Sequence, residues 1–182
     1  MTEPDLIAHA CRSDAGAWEA LVREHQQPIF RLAYLMLGDP DEAEDVAQET
    51  FIRAYGALAG FDTTRPLRPW LLRITANLAR NRRRSLRRRL ASLQRLVVPP
   101  PNTLDESAGW EGRTLWAAVS RLRTADQEVI YLRFFLDLSE ADTARALGIA
   151  QGTVKSRTSR ALTRLRTLID REFPDLRVER EL

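Results

Sequence analysis

The sequence is poor in the residues that build covalent or metal-centred sites. One cysteine, Cys11, stands in 182 residues, so no disulfide can close within the chain, and no Cys/His cluster has the spacing of a zinc site. Cys11 is expected to pack as a small buried hydrophobe. His9 and His25 are the only histidines. Neither stands beside a nucleophile pattern, and His25 lies close to the apolar face of its expected helix, where packing is its expected role. The segment Gly152-Thr153-Val154-Lys155-Ser156 lacks the glycine spacing of a phosphate-binding loop. These absences argue against an enzyme, and no cofactor, metal or small-molecule substrate is expected.

Long hydrophobic runs are also missing. The run from Leu32 to Leu37 is far too short to span a bilayer, and the first residues lack the charged start and apolar stretch of a signal peptide. A soluble cytoplasmic protein is expected. With 8 glycines, 9 prolines and 44% hydrophobic residues, the composition suits one medium domain or two small ones rather than a disordered chain.

Lysine is nearly absent, Lys155 being the only one, and the bases are arginines placed unevenly. Residues 1–62 carry 12 acids and 4 bases, whereas residues 63–104 carry 11 arginines and no acid. Residues 105–150 return to 8 acids and 5 bases, and residues 151–171 carry 6 bases and one acid. The formal net charge of +3 thus conceals two separated basic segments, a pattern that points to a polyanion gripped at two places.

Apolar positions recur with helical period and strand-like alternation is absent, so the fold class is all-α. Two small helical domains are expected, at 14–90 and 113–171. A linker at 91–112 with three consecutive prolines, Pro99-Pro100-Pro101, joins them. In the first domain, Asp14 caps a helix that Pro28 should kink or break. Asp39-Pro40-Asp41-Glu42 starts the next, with Asp39 as N-cap, Pro40 at the first helical position and Glu42 completing a capping-box-like pattern. Its expected buried face is Ala43, Val46, Ala47, Thr50, Phe51, Ala54 and Leu58. A loop at 60–66 precedes a third helix at about 67–89. No extra domain is expected in Phe173 to Leu182.

The second domain reads as a helix-turn-helix. One helix carries Leu115, Trp116, Val119 and Leu122, and the next carries Val129, Ile130, Leu132, Phe134 and Phe135. Ser139 with Asp142 is a capping signature, and Gly148 suits a left-handed C-cap. In the last helix, from about Gln151 to Ile169, Val154, Thr158, Ala161, Leu165 and Leu168 form one stripe that must face the core. Gly152, Lys155, Ser156, Ser159, Arg160 and Thr163 then point outward, as in a helix lying in the DNA major groove. Gln151, Thr153 and the helix N-terminus can hold phosphates. An ordinary amphipathic helix with a solvated basic face is the plainer alternative.

The third helix of the first domain carries a second cationic surface. Leu67, Leu71, Ile74 and Leu78 share one face, and Arg73, Asn77, Arg80, Arg84 and Arg87 form another. A bound polyanion relieves the mutual repulsion of such a stripe. Trp70 and Phe61 offer a surface for an unstacked base, although core packing is the weightier reading for each. The run from Arg82 to Arg89 reads equally well as a frayed basic tail.

The two surfaces, in this order, resemble the extracytoplasmic-function (ECF) sigma factors of bacterial RNA polymerase. The stretch Asp45-Val46-Ala47-Gln48-Glu49-Thr50-Phe51-Ile52-Arg53-Ala54-Tyr55 looks like that family's core-polymerase-binding helix. Pro69-Trp70-Leu71-Leu72-Arg73-Ile74-Thr75-Ala76-Asn77 looks like its promoter-melting helix. Leu132-Arg133-Phe134-Phe135-Leu136-Asp137-Leu138-Ser139, followed by Gly152-Thr153-Val154-Lys155-Ser156-Arg157, looks like its minus-35-reading domain. The resemblance implies a non-enzymatic subunit that binds core polymerase and directs promoter-specific initiation. Asp45, Gln48 and Glu49 would contact the clamp helices of the largest subunit. Phe61, Asp62, Thr63, Thr64 and Arg65 would capture a flipped minus-10 base. Trp70, Arg73, Asn77, Arg80 and Arg84 would hold the opened strand. Gln151, Gly152, Thr153, Lys155, Ser156, Arg157, Ser159 and Arg160 would meet minus-35 DNA. The family also implies an anti-sigma factor as partner, often one tethered to the membrane. Thr158 departs from the family pattern, which has a larger apolar residue on the core stripe. A helix-turn-helix regulator that ignores polymerase remains the rival reading, but such proteins lack the acidic cluster at 45–49 and the stripe at 73–87.

Overall fold

A computed structural model describes residues 2–92 and 110–172, and among these every regular element is helical. They group into two units, one built on helices α1 (Glu3–Ala10), α2 (Ala15–Leu37), α3 (Pro40–Ala57) and α4 (Leu67–Ser92). The other is built on α5 (Trp110–Ser120), α6 (Thr124–Ile130) and α8 (Gln151–Glu172), with α7 (Glu140–Leu147) leading into α8. The proline-rich part of the expected linker and the segment from Phe173 onward lie outside the described residues.

Local chemistry sets most helix starts. Asp14 accepts from the Ala17 N–H at 3.1 Å and Asp39 from the Glu42 N–H at 2.9 Å; such caps contribute about 1 kcal/mol each. The second arm of the expected capping box at Glu42 is replaced by a longer-range contact, because its carboxylate meets Arg82 of α4. Helix α1 was not foreseen. It starts at a full capping box between Thr2 and Asp5 with Pro4 in its first turn, and it buries Leu6, Ile7 and Ala10. Cys11, expected inside, is exposed. It follows the last buried residue of this short helix by one position, or about 100° of turn, and its Sγ stands 3.6 Å from the Leu58 carbonyl.

Pro28 does not break α2, which runs continuously through it. The ring removes one backbone bond, while His25, Ile29 and Leu32 on either side are buried and hold the turns in place. Leu21, Ile29, Leu32, Leu71 and Leu72 are among the largest fully buried side chains of this unit. Thr50 and Thr75 mark a close approach of α3 and α4. Each hydroxyl bonds its own helix at the carbonyl four residues back, Val46 at 2.8 Å and Leu71 at 2.9 Å, and the two oxygens stand 3.3 Å apart. Phe51 is only half-buried, since its ring meets Trp18 at the edge of the bundle.

In the second unit Trp116 stacks on Tyr131 at 5.6 Å, and Tyr131 meets Phe135 edge-on at 5.9 Å. After α6 the chain widens into a π-turn at Tyr131–Phe135, which disturbs the expected register. Phe134 is consequently 49% exposed and Phe135 half-buried, and Leu115 of α5 is also exposed. Asp126 is buried, with its carboxylate bound by Arg164 of α8. Ser139 accepts from the Asp142 N–H at 3.0 Å and so starts α7. Gly148 closes α7 at φ 67°, and the Ile149 N–H returns to the Ala144 carbonyl at 3.1 Å, the wider bond of a Schellman motif.

Candidate nucleic-acid interface

The capped turn at Gly148 launches α8, and the two faces of α8 separate as its period predicts. Val154 and Ala161 are fully buried and Leu165 nearly so, whereas Gly152, Lys155, Ser156, Ser159, Arg160 and Thr163 are all exposed. Gln151 is exposed too, while Thr153 and Arg157 are half-buried at the border between the faces. Arg160 lies back along its own helix, donating from Nε to the Ser156 carbonyl at 3.2 Å. The result is a face of short polar groups and two cations, narrow enough for a helix to enter a major groove. Thr158 and Leu168 are only half-buried, and the Thr158 hydroxyl oxygen is enclosed without a hydrogen-bond partner.

In the first unit, the loop before α4 is shaped by Asp62. Its Oδ1 accepts from the Thr64 hydroxyl at 2.6 Å and from the Thr64 N–H at 3.0 Å, and its Oδ2 pairs with Arg65 Nε at 3.0 Å. The Thr64 hydroxyl, then the Thr64 N–H, hold the Asp62 carboxyl below the ordinary aspartate range. Thr63 is exposed at the turn. Phe61 and Trp70 are both half-buried with ring centroids 4.8 Å apart and planes tilted by 46°. They pack on one another and still present part of each ring to solvent.

Along α4, Arg73, Asn77 and Arg84 are exposed and Arg80 is half-buried. Asn77 accepts from Arg80 Nη1 at 2.8 Å, so its carbonyl oxygen is engaged and its NH₂ donors are the groups suited to meet a phosphate or a base. Arg82 leaves the stripe. Its Nε pairs with Glu42 at 2.7 Å and its Nη2 with Asp45 at 3.0 Å, fastening α4 to α3. The sequence offered no sign of this pairing, because the partners are about 40 residues apart.

Helix α3 presents a different surface. Asp45 and Gln48 are exposed and Glu49 is half-buried. Gln48 Nε2 donates to Glu44 at 3.4 Å, and Glu49 pairs with Arg53 at 2.7 Å. Beside them Ile52 is 67% and Tyr55 48% exposed. Acids, an exposed isoleucine and a tyrosine on adjoining turns suit a protein partner rather than a polyanion. Ile52 and Tyr55 lie in the stretch that resembles a polymerase-binding helix, but the sequence reading names only Asp45, Gln48 and Glu49 as contacts, although Ile52 and Tyr55 both fall off the predicted buried stripe.

A helix-turn-helix with a cationic outward face, a separate arginine-rich helix beside half-buried aromatic rings, and a helix with an acidic, partly apolar exposed face together suit a DNA-binding transcription protein. Comparison with known proteins agrees. Residues 21–89 match the family Sigma-70 region 2, and residues 112–165 match Sigma-70, region 4. The ECF RNA polymerase sigma factor SigL of Mycobacterium tuberculosis is 37% identical over 165 residues, covering 88% of this chain and 93% of SigL. SigW of Bacillus subtilis is 33% identical over 185 residues, covering 88% of this chain and 92% of SigW. Among solved structures, CnrH in complex with the cytosolic domain of CnrY covers 93% of this chain and 98% of CnrH at a TM-score of 0.73 and 28% identity. The chain belongs to the ECF RNA polymerase sigma factors, and its function is that of an RNA polymerase sigma factor in transcription initiation.

Proposed function

We propose that the chain divides promoter recognition between its two units while α3 docks on core polymerase. Asp45, Gln48 and Glu49, with Ile52 and Tyr55 alongside, meet the clamp helices of the largest subunit. The loop at 61–65 takes a flipped minus-10 base, and Trp70, Arg73, Asn77, Arg80 and Arg84 hold the parted strand. Gripping an extruded base and its backbone offsets an unstacking cost of a few kcal/mol, so the opening needs no hydrolysis by this chain. In the second unit Lys155, Ser156, Ser159 and Arg160 read minus-35 bases, and Gln151, Gly152, Thr153 and Arg157 position the helix on the phosphates. The observation that carries this reading is the chemical contrast between the faces of α3 and α4: acidic and apolar on one, cationic on the other, for two unlike partners.

An anti-sigma factor is proposed as a further partner, on the likeness to CnrH, whose structure holds the cytosolic domain of CnrY. The protein works in the cytoplasm with the polymerase, and a membrane-tethered anti-sigma factor would hold it at the membrane. Among the described residues, no helix is long and apolar enough to cross a membrane. No catalytic activity is assigned to the chain. The test is co-purification with core polymerase. Asp45→Arg with Glu49→Arg is expected to abolish it with the circular dichroism spectrum unchanged, and undiminished co-purification would reject the docking face.

A further inference from the structure

We infer that Glu3, Glu24 and His25 form a binding site for one divalent transition-metal ion of the zinc class. None of the three belongs to the faces assigned above. The capping box of Thr2 and Asp5 fixes the first turn of α1 and thereby places Glu3 at its first helical position. There the Glu3 carboxylate meets α2. His25 is 5% exposed at the side chain, and its Nε2 is enclosed with no hydrogen-bond partner, while Glu3 Oε1 lies 3.3 Å from it. A buried ring nitrogen in this position is short of a partner of its own.

The distance fits a shared ion. Two ligands held about 2.0–2.1 Å from a tetrahedral zinc stand about 3.3 Å apart. Glu24, the residue before His25, brings the third ligand, and one ligand atom from each of the three residues lies within 4.8 Å of the others. It is the one such group of His, Cys, Asp and Glu among the described residues. Glu24 is exposed, so the site opens to solvent and its fourth position is left to water. One imidazole with two carboxylates is the donor set of zinc and its first-row neighbours rather than of calcium or magnesium. The other Glu3 oxygen is 3.5 Å from the Leu67 N–H at the start of α4, an outer contact of the kind that orients a ligand carboxylate. The ion would therefore fasten α1 to α2 beside the first turn of α4. Spacing rules for Cys and His miss such a site, because its ligands come from two helices and only one is a histidine.

The test uses the full chain, stripped of metal with a chelator and then titrated with Zn²⁺ by calorimetry and with Co²⁺ by visible absorption. One equivalent of Zn²⁺ is expected to bind, Co²⁺ to give a tetrahedral spectrum, and the thermal midpoint to rise with Zn²⁺ concentration. Glu24→Gln, at an exposed position, and Glu3→Gln should each weaken binding at least about tenfold, the loss that even outer partners of a metal produce, with helicity unchanged. Absence of stoichiometric binding in excess Zn²⁺ would overturn the inference, leaving Glu3 and His25 as a packing contact between α1 and α2 only. Affinity unchanged in both variants would overturn it equally. Both readouts need neither polymerase nor DNA, so they are independent of the promoter assignments.

Discussion

Replacing Thr158 with valine should stabilise the second unit without touching the face proposed to meet DNA. Thr158 lies between Val154 and Ala161 on the core stripe of α8, and both neighbours are fully buried. Its hydroxyl oxygen is enclosed and has no hydrogen-bond partner. Valine has the same shape and the same branching, so helix propensity hardly changes. Removing an unsatisfied buried hydroxyl recovers about 1–3 kcal/mol, and the added methyl contributes up to about 0.8 kcal/mol. The residue as a whole is only half-buried, which places the net gain near the lower end, about 1 kcal/mol. For a domain of this size that corresponds to a rise of roughly 4–8 °C in the unfolding midpoint. Calorimetry of the full chain gives the midpoint, and hydrogen exchange gives the location: amides in 110–172 should gain protection while those in 2–92 stay unchanged. Promoter affinity should be unaltered, because Lys155, Ser156, Ser159 and Arg160 lie on the exposed face. A loss of stability in Thr158→Val would mean that the hydroxyl is satisfied and that α8 is rotated from the orientation on which its DNA face is assigned.

Lys155→Ala with Arg160→Ala should weaken promoter-specific transcription by about 1–3 kcal/mol per lost base contact, read as the loss of minus-35 selectivity in competition assays; undiminished selectivity would remove α8 from the reading role. Asn77→Ala should impair strand opening, read by permanganate reactivity, more than initial binding, read by gel shift; equal loss of both would contradict its role. The turn at Asp62 should respond to acid in one direction only. Its depressed carboxyl favours the folded turn above the ordinary aspartate value of 3.8 and loses that contribution as pH falls through the lowered value. Thr64→Val should move the titration of this carboxyl, followed by NMR, back toward 3.8, and no movement would mean that the hydroxyl does not hold the turn.

Much of this was legible because it is local. Asp14, Asp39 and Ser139 cap where their spacing says they should, Gly148 takes the left-handed turn, and the stripe on α8 follows from period alone. What escaped the sequence depends on contacts between distant segments. Helix α1 is short and has only Leu6, Ile7 and Ala10 to bury, so it is stable by virtue of the surface it covers. Pro28 loses one backbone bond, yet its neighbours are packed firmly enough to carry the helix through. Phe134 is turned outward by a π-turn that no period anticipates. The same holds at the candidate interface. Exposure of Lys155, Ser159, Arg73 and Asn77 was readable from the helix wheel, whereas the diversion of Arg82 to Glu42 and Asp45 was not, since charge alone does not distinguish a structural ion pair from a DNA contact.

The most direct test of the central claim is transcription by purified core polymerase on DNA carrying candidate promoters, with and without this chain, followed by mapping of the transcript starts. Added chain is expected to produce discrete new start sites that vanish with Asp45→Arg and Glu49→Arg. Identical transcripts in its presence and absence, with any inhibitor removed, would contradict the account.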